Sequence, residues 1–199
     1  LEPLLIRLIL ASASPRRREL LTQAGFAFTV EPAEVDETPL AGEAADAYVE
    51  RLAREKAQAV CRRQRGDADL ATILAADTTV VLPDGTILGK PADAADAARM
   101  LRRLSGRTHS VMTGIAAVST ANPELVLSAV ETTRVTFAVI PDSGIDGYVA
   151  SSEPLDKAGA YAIQGYAARW IPRIEGDYFN VVGLPIARTV ALLEALENR

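Results

Sequence analysis

The chain has 199 residues, of which 49% are hydrophobic and 24% charged, with 13 Gly and 11 Pro, a balance that excludes disorder, collagen-like repeats and linker-like low complexity. Its 21 Lys and Arg against 26 Asp and Glu leave a net charge of −5, so no overall positive field draws in a nucleic acid polymer or an anionic membrane, and any anionic ligand needs a local cluster. One Cys (Cys61) and one His (His109) exclude an internal disulfide framework and Cys- or His-rich metal sites.

Leu4 to Ala11 is apolar, and Ala11-Ser12-Ala13 has the look of a signal-peptidase site. Glu2 and Pro3 stand where a leader carries basic residues, however, and Arg7 interrupts the run, so the sequence is read as a strand over Leu8–Ala11 and not as a leader. No stretch approaches the roughly 18–20 apolar residues needed to cross a bilayer. A cytoplasmic protein is expected.

The strand feeds a helix with Ser14 as N-cap, Pro15 in the first turn and Gly25 as its stop. A second helix is expected from about Gly42 to Arg65, with Tyr48, Leu52 and Ala59 on one face, closed by Gly66-Asp67. Thr72–Ala76 reads as a buried strand ending at Asp77, Val80–Leu82 continues extended into the turn Pro83-Asp84-Gly85, and Ile87–Lys90 returns. Asp93 caps a helix carrying Ala97, Met100, Leu101 and Leu104, closed by Ser105-Gly106. Ser110–Ser119 and Leu125–Ile140 read as an antiparallel pair about an Asn122-Pro123 turn. Short helices start at Asp142 and near Leu155, and Ile186, Val190, Leu193 and Leu196 mark a final helix.

Four groups of residues are candidates for chemistry. Arg16-Arg17-Arg18 sits in the first turn of a helix, where the macrodipole is already positive; either an anion such as phosphate docks there, received by N–H groups, guanidinium forks and the Ser12 or Ser14 hydroxyls, or the arginines are solvated or paired with acids such as Glu19. Asp77 directly follows an apolar strand, where it either binds a cation or activates water, or simply opens a turn at Thr78. Glu34-Val35-Asp36-Glu37 offers oxygen ligands suited to Mg²⁺ or Mn²⁺, or is a solvated acidic loop. In Glu153–Gly165, the amide of Gln164 presents an acceptor and a donor that match the edge of uracil or thymine, although an amide also rotates to suit cytosine or bonds nearby backbone. Lys56 and Lys90 are further candidates for the same anion. Walker A, G-x-G-x-x-G and G-x-S-x-G patterns are absent, and His109 reads as a strand residue and not as a general base.

Taken in order, Leu10-Ala11-Ser12-Ala13-Ser14-Pro15-Arg16-Arg17, Val35-Asp36-Glu37, Leu52-Ala53-Arg54-Glu55-Lys56-Ala57, Ala76-Asp77-Thr78, Gly89-Lys90-Pro91, Leu104-Ser105-Gly106 and Glu153–Gly165 resemble the Maf family of nucleoside triphosphate pyrophosphatases, first associated with septum formation. The resemblance spans nearly the whole chain. It implies an α/β fold similar to that of inosine triphosphate pyrophosphatases: one Maf-like domain over residues 1–199, with a mixed sheet, flanking helices, a second smaller lobe and a cleft between the lobes. It also implies that Asp77 accepts a proton, that Glu37, Lys56 and Lys90 are catalytic, that Glu37 and Asp77 hold a divalent cation, and that Ser12, Ser14, Arg16, Arg17, Thr78 and Gln164 bind substrate. Arg16, Thr78 and Gln164 fall on the positions that mark the dTTP/UTP subgroup. The alternatives are a pyrophosphatase for modified nucleotides such as 7-methyl-GTP, or a nucleotide-binding regulator of septum formation. Ala162 stands where Gly is frequent in the family. A homodimer is expected on base rate alone.

Overall fold

A computed structural model describes residues 7–64 and 70–199. Among the described residues seven strands, β1 (Arg7–Leu10), β2 (Phe28–Val30), β3 (Ala71–Val81), β4 (Ile87–Leu88), β5 (Thr108–Ser119), β6 (Asn122–Thr136) and β7 (Arg173–Glu175), are interleaved with six α-helices. These are α1 (Pro15–Gln23), α2 (Ala45–Arg63), α3 (Ala94–Leu104), α4 (Asp142–Ala150), α5 (Tyr178–Val182) and α6 (Ile186–Glu197). The strand order is β2-β1-β3-β5-β6-β7, with β4 paired to β3. β1 runs parallel to both β2 and β3, whereas β3 with β4 and β6 with β7 are antiparallel. The expected mixed sheet with flanking helices is therefore present.

The chain divides into two compact units. The first comprises the chain through Asp77, Thr113–Glu131 and Gly183–Arg199; the second comprises Thr78–Met112 and Thr132–Val182. In the first, Leu10 pairs with Leu74, and the chain leaves β1 through Ala11 to α1. Ser14 caps α1 as expected, its hydroxyl accepting from the Arg17 N–H at 3.4 Å, and Pro15 opens the helix.

The buried side of α2 carries Val49, Leu52, Ala53, Lys56, Ala57, Val60 and Cys61, a 3.6-residue stripe. Only Leu52 of the three residues expected on that face lies fully within it, because the face turns on Val49 and Ala53 and leaves Tyr48 and Ala59 half-buried. The helix begins at Ala45 rather than Gly42 and has no side-chain cap, and the expected Gly66-Asp67 stop lies outside the described residues. Ala53, Ala57, Val60 and Cys61 pack with Ile9, Ala11, Ala71, Ile73, Ala75, Ala116 and Val118 of the sheet.

Small residues here allow close approach, and Gly114 on β5 takes it to the limit. A Cβ on Gly114 would lie 2.3 Å from the Val49 carbonyl oxygen, so backbone meets backbone at that point.

β3 is one unbroken strand through Asp77 and Thr78, where a strand, a break and a second strand were expected. β5 and β6 turn at Thr120 and Ala121, and Asn122-Pro123 already belongs to β6, which displaces the expected turn by two residues. β2, β7 and α5 went unread because each is five residues or shorter and lacks a periodic pattern.

The second unit packs His109 of β5 against Phe137 and Tyr161, with ring centroids 5.5 Å away in both cases. His109 Nε2 and the Tyr161 hydroxyl are 2.8 Å apart. Burial pushes the imidazole down to about 4 from an ordinary 6.5.

Two outcomes follow from this packing. As pH falls below 6.5 the unfolded chain takes up a proton at this position before the folded one does, so the stabilisation held by neutral His109 is full above 6.5 and lost as pH drops through about 4. Urea denaturation between those values should show His109→Phe losing about 3 kcal/mol less than the parent chain. Gly114→Ala should lower the urea midpoint by the equivalent of about 3 kcal/mol, because the obstacle is fixed backbone and not a mobile side chain.

Candidate active site

The period of two along β3 places Asp77 on the face already carrying Ala71, Ile73 and Ala75, which is the face covered by α2. Lys56 lies on the inner stripe of α2, between Ala53 and Ala57. The ammonium is thus delivered under the helix to the carboxylate, with Lys56 Nζ 2.6 Å from Asp77 Oδ1. The same nitrogen lies 2.6 Å from Glu37 Oε1. Lys56 is 8% exposed, so its charge is sustained by these two carboxylates and not by water.

Glu37 reaches this point because α2 also holds the acidic loop. The Tyr48 hydroxyl donates to the Glu37 carbonyl at 2.9 Å. Arg51 donates from Nη2 to the Thr38 carbonyl at 3.2 Å and grips Glu43 through Nε at 2.6 Å and Nη2 at 2.8 Å. That grip, helped by the Leu40 N–H, holds the Glu43 carboxyl down at about 2. Burial, followed by the charges of Asp77 and Glu37, pushes the Tyr48 hydroxyl up to about 12, so it remains a donor at any ordinary pH. At the other end of the loop, Arg63 donates to the Pro32 carbonyl at 2.8 Å and pairs with Glu31 at 3.0 Å. The loop is braced, not merely solvated. Sequence reasoning missed Tyr48 and Arg51 as braces; their only signal was an i, i+3 pair in the first turns of the helix after the acidic loop.

At the start of α1, Arg17 turns inward instead of projecting from the helix. Its Nε donates to the Gly183 carbonyl at 2.8 Å and its Nη1 to Ser12 Oγ at 3.1 Å. Ser12 is buried, and its hydroxyl also accepts from the Ser14 N–H at 3.2 Å. Burial draws the Arg17 guanidinium below its ordinary value; the charge of Asp77 opposes this, Arg16 adds to it and Glu37 opposes it. These influences put Arg16, Arg17, Asp77 and Glu37 in one electrostatic neighbourhood. Arg18, by contrast, is exposed on the helix surface.

Ser12, Ser14, Arg16, Arg17, Glu37, Lys56 and Asp77 all belong to the first unit, where Lys56 joins Glu37 to Asp77 and Ser12 joins Arg17 to Ser14. Thr78, Lys90 and Gln164 belong to the second unit. There the Gly159 N–H donates to the Gly89 carbonyl at 3.0 Å, which ties the segment bearing exposed Lys90 to the loop leading to Gln164. Gly159 has a φ of +68°, and a Cβ on it would lie 2.7 Å from Val80 Cγ2.

No cluster of three or more His, Cys, Asp or Glu suited to a metal ion exists among the described residues. Two carboxylates do converge, Glu37 and Asp77, and their chemistry fits a hard cation that takes one or two protein oxygens and completes its shell with water and phosphate. The point on which they converge is held by the Lys56 ammonium.

Residues 7–196 match the Maf-like protein family, and the chain belongs to that family. It is 56% identical over 187 residues to a dTTP/UTP pyrophosphatase of Myxococcus xanthus, covering 94% of this chain and 91% of that protein. It is 54% identical to a dTTP/UTP pyrophosphatase of Koribacter versatilis, covering 94% and 92%, and 47% identical to one of Aromatoleum aromaticum, covering 98% of each. Among solved structures it is similar to a nucleoside-triphosphatase / dITP/XTP pyrophosphatase from Mycobacterium abscessus, at 14% identity and a TM-score of 0.43 over 95% of this chain and 94% of that one. That likeness is loose, and the family assignment rests on the sequence relatives.

Replacing Lys56 by Met leaves a mostly buried carboxylate beside a second one with no cation between them. Urea denaturation should show a loss of about 3 kcal/mol. Millimolar Mg²⁺ should recover part of it in the variant, and no recovery would argue that the two carboxylates do not bind the ion.

Proposed function

We propose that this protein hydrolyses dTTP and UTP to the nucleoside monophosphate and pyrophosphate. The observation that carries the reading is the convergence of Glu37 and Asp77 on the buried Lys56 ammonium, in the same electrostatic neighbourhood as Arg16 and Arg17. The names of the Maf relatives, dTTP/UTP pyrophosphatases at 47–56% identity, point to the same reaction.

In this reading the oxygen of a water molecule bonds to the α-phosphorus, and the bond from that phosphorus to the α–β bridging oxygen breaks. Pyrophosphate leaves with the bonding electrons, and Asp77 accepts the water proton. Lys56, 2.6 Å from Asp77 Oδ1, orients that carboxylate toward the water. Arg16, Arg17 and Lys90 balance the charge of the phosphate chain, and the Ser12 and Ser14 hydroxyls with the first N–H groups of α1 receive its oxygens. Charge and position carry the catalysis, as phosphoryl chemistry requires.

Glu37 and Asp77 would hold a divalent cation, Mg²⁺ or Mn²⁺, which when bound neutralises phosphate charge and eases deprotonation of water. Lys56, which contacts both carboxylates, would add its charge to the substrate's phosphates. Thr78 and Gln164 are assigned to the nucleoside, Gln164 reading the base edge through its paired acceptor and donor.

The chain is proposed to work as one Maf-like domain on a free nucleotide, in the cytoplasm. No helix among the described residues is long and apolar enough to cross a membrane.

Purified protein given a panel of triphosphates with Mg²⁺ should release pyrophosphate from dTTP and UTP first. Release of orthophosphate instead would reject the cleavage site. Asp77→Asn should lower kcat by at least about a thousandfold, as loss of a proton acceptor together with a cation ligand implies, with the far-ultraviolet circular dichroism unchanged.

A further inference from the structure

The side-chain amide of Gln164 is exposed and makes no hydrogen bond among the described residues, so the backbone that carries it sets the place from which it reaches. That backbone is held from one side by a single carboxylate. Glu153 Oε1 accepts from the Tyr148 hydroxyl at 2.8 Å, and Oε1 and Oε2 accept from the Tyr166 N–H at 3.3 and 3.5 Å. The Tyr148 hydroxyl in turn accepts from the Ala162 N–H at 3.3 Å. The two anchored amides, Ala162 and Tyr166, lie two residues to either side of Gln164.

The space between the anchors is fully used. A Cβ on Gly165 would lie 2.1 Å from Glu153 Oε1, so any side chain there would push the carboxylate out of its place. Glu153 is itself fixed: Ser152 enters it with a φ of +63°, and Lys157 Nζ donates to its carbonyl at 2.6 Å. The Tyr148 ring stacks on that of Tyr166, with centroids 5.6 Å apart and planes 18° from parallel. Burial, and then the hydrogen bond to Glu153, push the Tyr148 hydroxyl well above its usual value, so it stays protonated.

We infer that Glu153 and Tyr148 form a clamp that fixes the Ala162–Tyr166 backbone and thereby the place from which Gln164 reaches, making them positioning residues for base selection. The inference rests on the reading of Gln164 as the residue that meets the base. It assigns the choice among bases to a carboxylate that touches no substrate.

The test compares dTTP with dCTP in steady-state pyrophosphate release by the parent chain, Glu153→Gln, Tyr148→Phe, Gln164→Ala and the double variant Glu153→Gln/Gln164→Ala. Each clamp variant should lower the ratio of kcat/KM for dTTP over dCTP about tenfold, through KM for dTTP and with kcat little changed, the scale of one or two buried hydrogen bonds. The double variant should discriminate no worse than Gln164→Ala alone, since the clamp acts through that side chain. An equal fall in kcat for both nucleotides with the ratio unchanged would overturn the inference, as would additive losses in the double variant. Tyr148→Phe removes only a hydroxyl and serves if Glu153→Gln fails to fold. A parent chain that releases no pyrophosphate would overturn the proposed reaction and the clamp together. An active parent with an unchanged ratio in Gln164→Ala would overturn the clamp alone.

Discussion

An ammonium ion buried beneath a helix has to be met by negative charge, and in this protein that requirement organises the site. Lys56 cannot sit on the inner stripe of α2 unless Asp77 arrives on the facing strand and Glu37 on the neighbouring loop. Each arrival has a separate cause. Strand periodicity brings Asp77, and the Tyr48 and Arg51 braces bring Glu37. The close seating of α2, permitted by Gly114 and a lining of alanines, sets how far the lysine has to reach.

Under the proposed function, the same arrangement would keep two acids ready for a substrate that is itself strongly acidic. The ammonium faces both carboxylates, and in the proposed function Arg16 and Arg17 add a positive rim for the phosphate chain. In that proposal an entering nucleotide would exchange one set of charge partners for another instead of facing bare negative charge. The inward turn of Arg17 toward Ser12 and Gly183 gives that rim a fixed geometry, which a freely solvated arginine would lack.

Much of this was legible in the sequence, for identifiable reasons. Ser14-Pro15 specifies a helix start through local chemistry alone, and the structure has it there. Asp77 at the end of an apolar run, and Glu37 in an acidic loop, were visible as candidates because charge placed next to apolar sequence is conspicuous. The pairing of Lys56 with both was not visible, since it depends on which stripe of α2 turns inward, and the choice between Val49 and Tyr48 is a matter of tertiary packing. The hairpin turn was misplaced because Asn-Pro favours turns locally, whereas strand pairing absorbed it into β6 and left Thr120-Ala121 to reverse the chain. Glu153 was noticed only as part of a motif, because its partners Tyr148, Ala162 and Tyr166 are separated in the chain and meet only on folding.

The alignment of Leu10 with Leu74 across the parallel pair β1 and β3 has a further meaning. Neighbouring residues on a strand point to opposite sides, so displacing β3 by a single residue would rotate Asp77 away from the helix and present Thr78 or Ala76 in its stead. An insertion or deletion of one residue between Ala71 and Asp77 would thus part the carboxylate from Lys56 even if every side chain named here were retained, whereas a change of two would keep the facing and merely shift the carboxylate along its track. The spacing of this short stretch is therefore a fixed count.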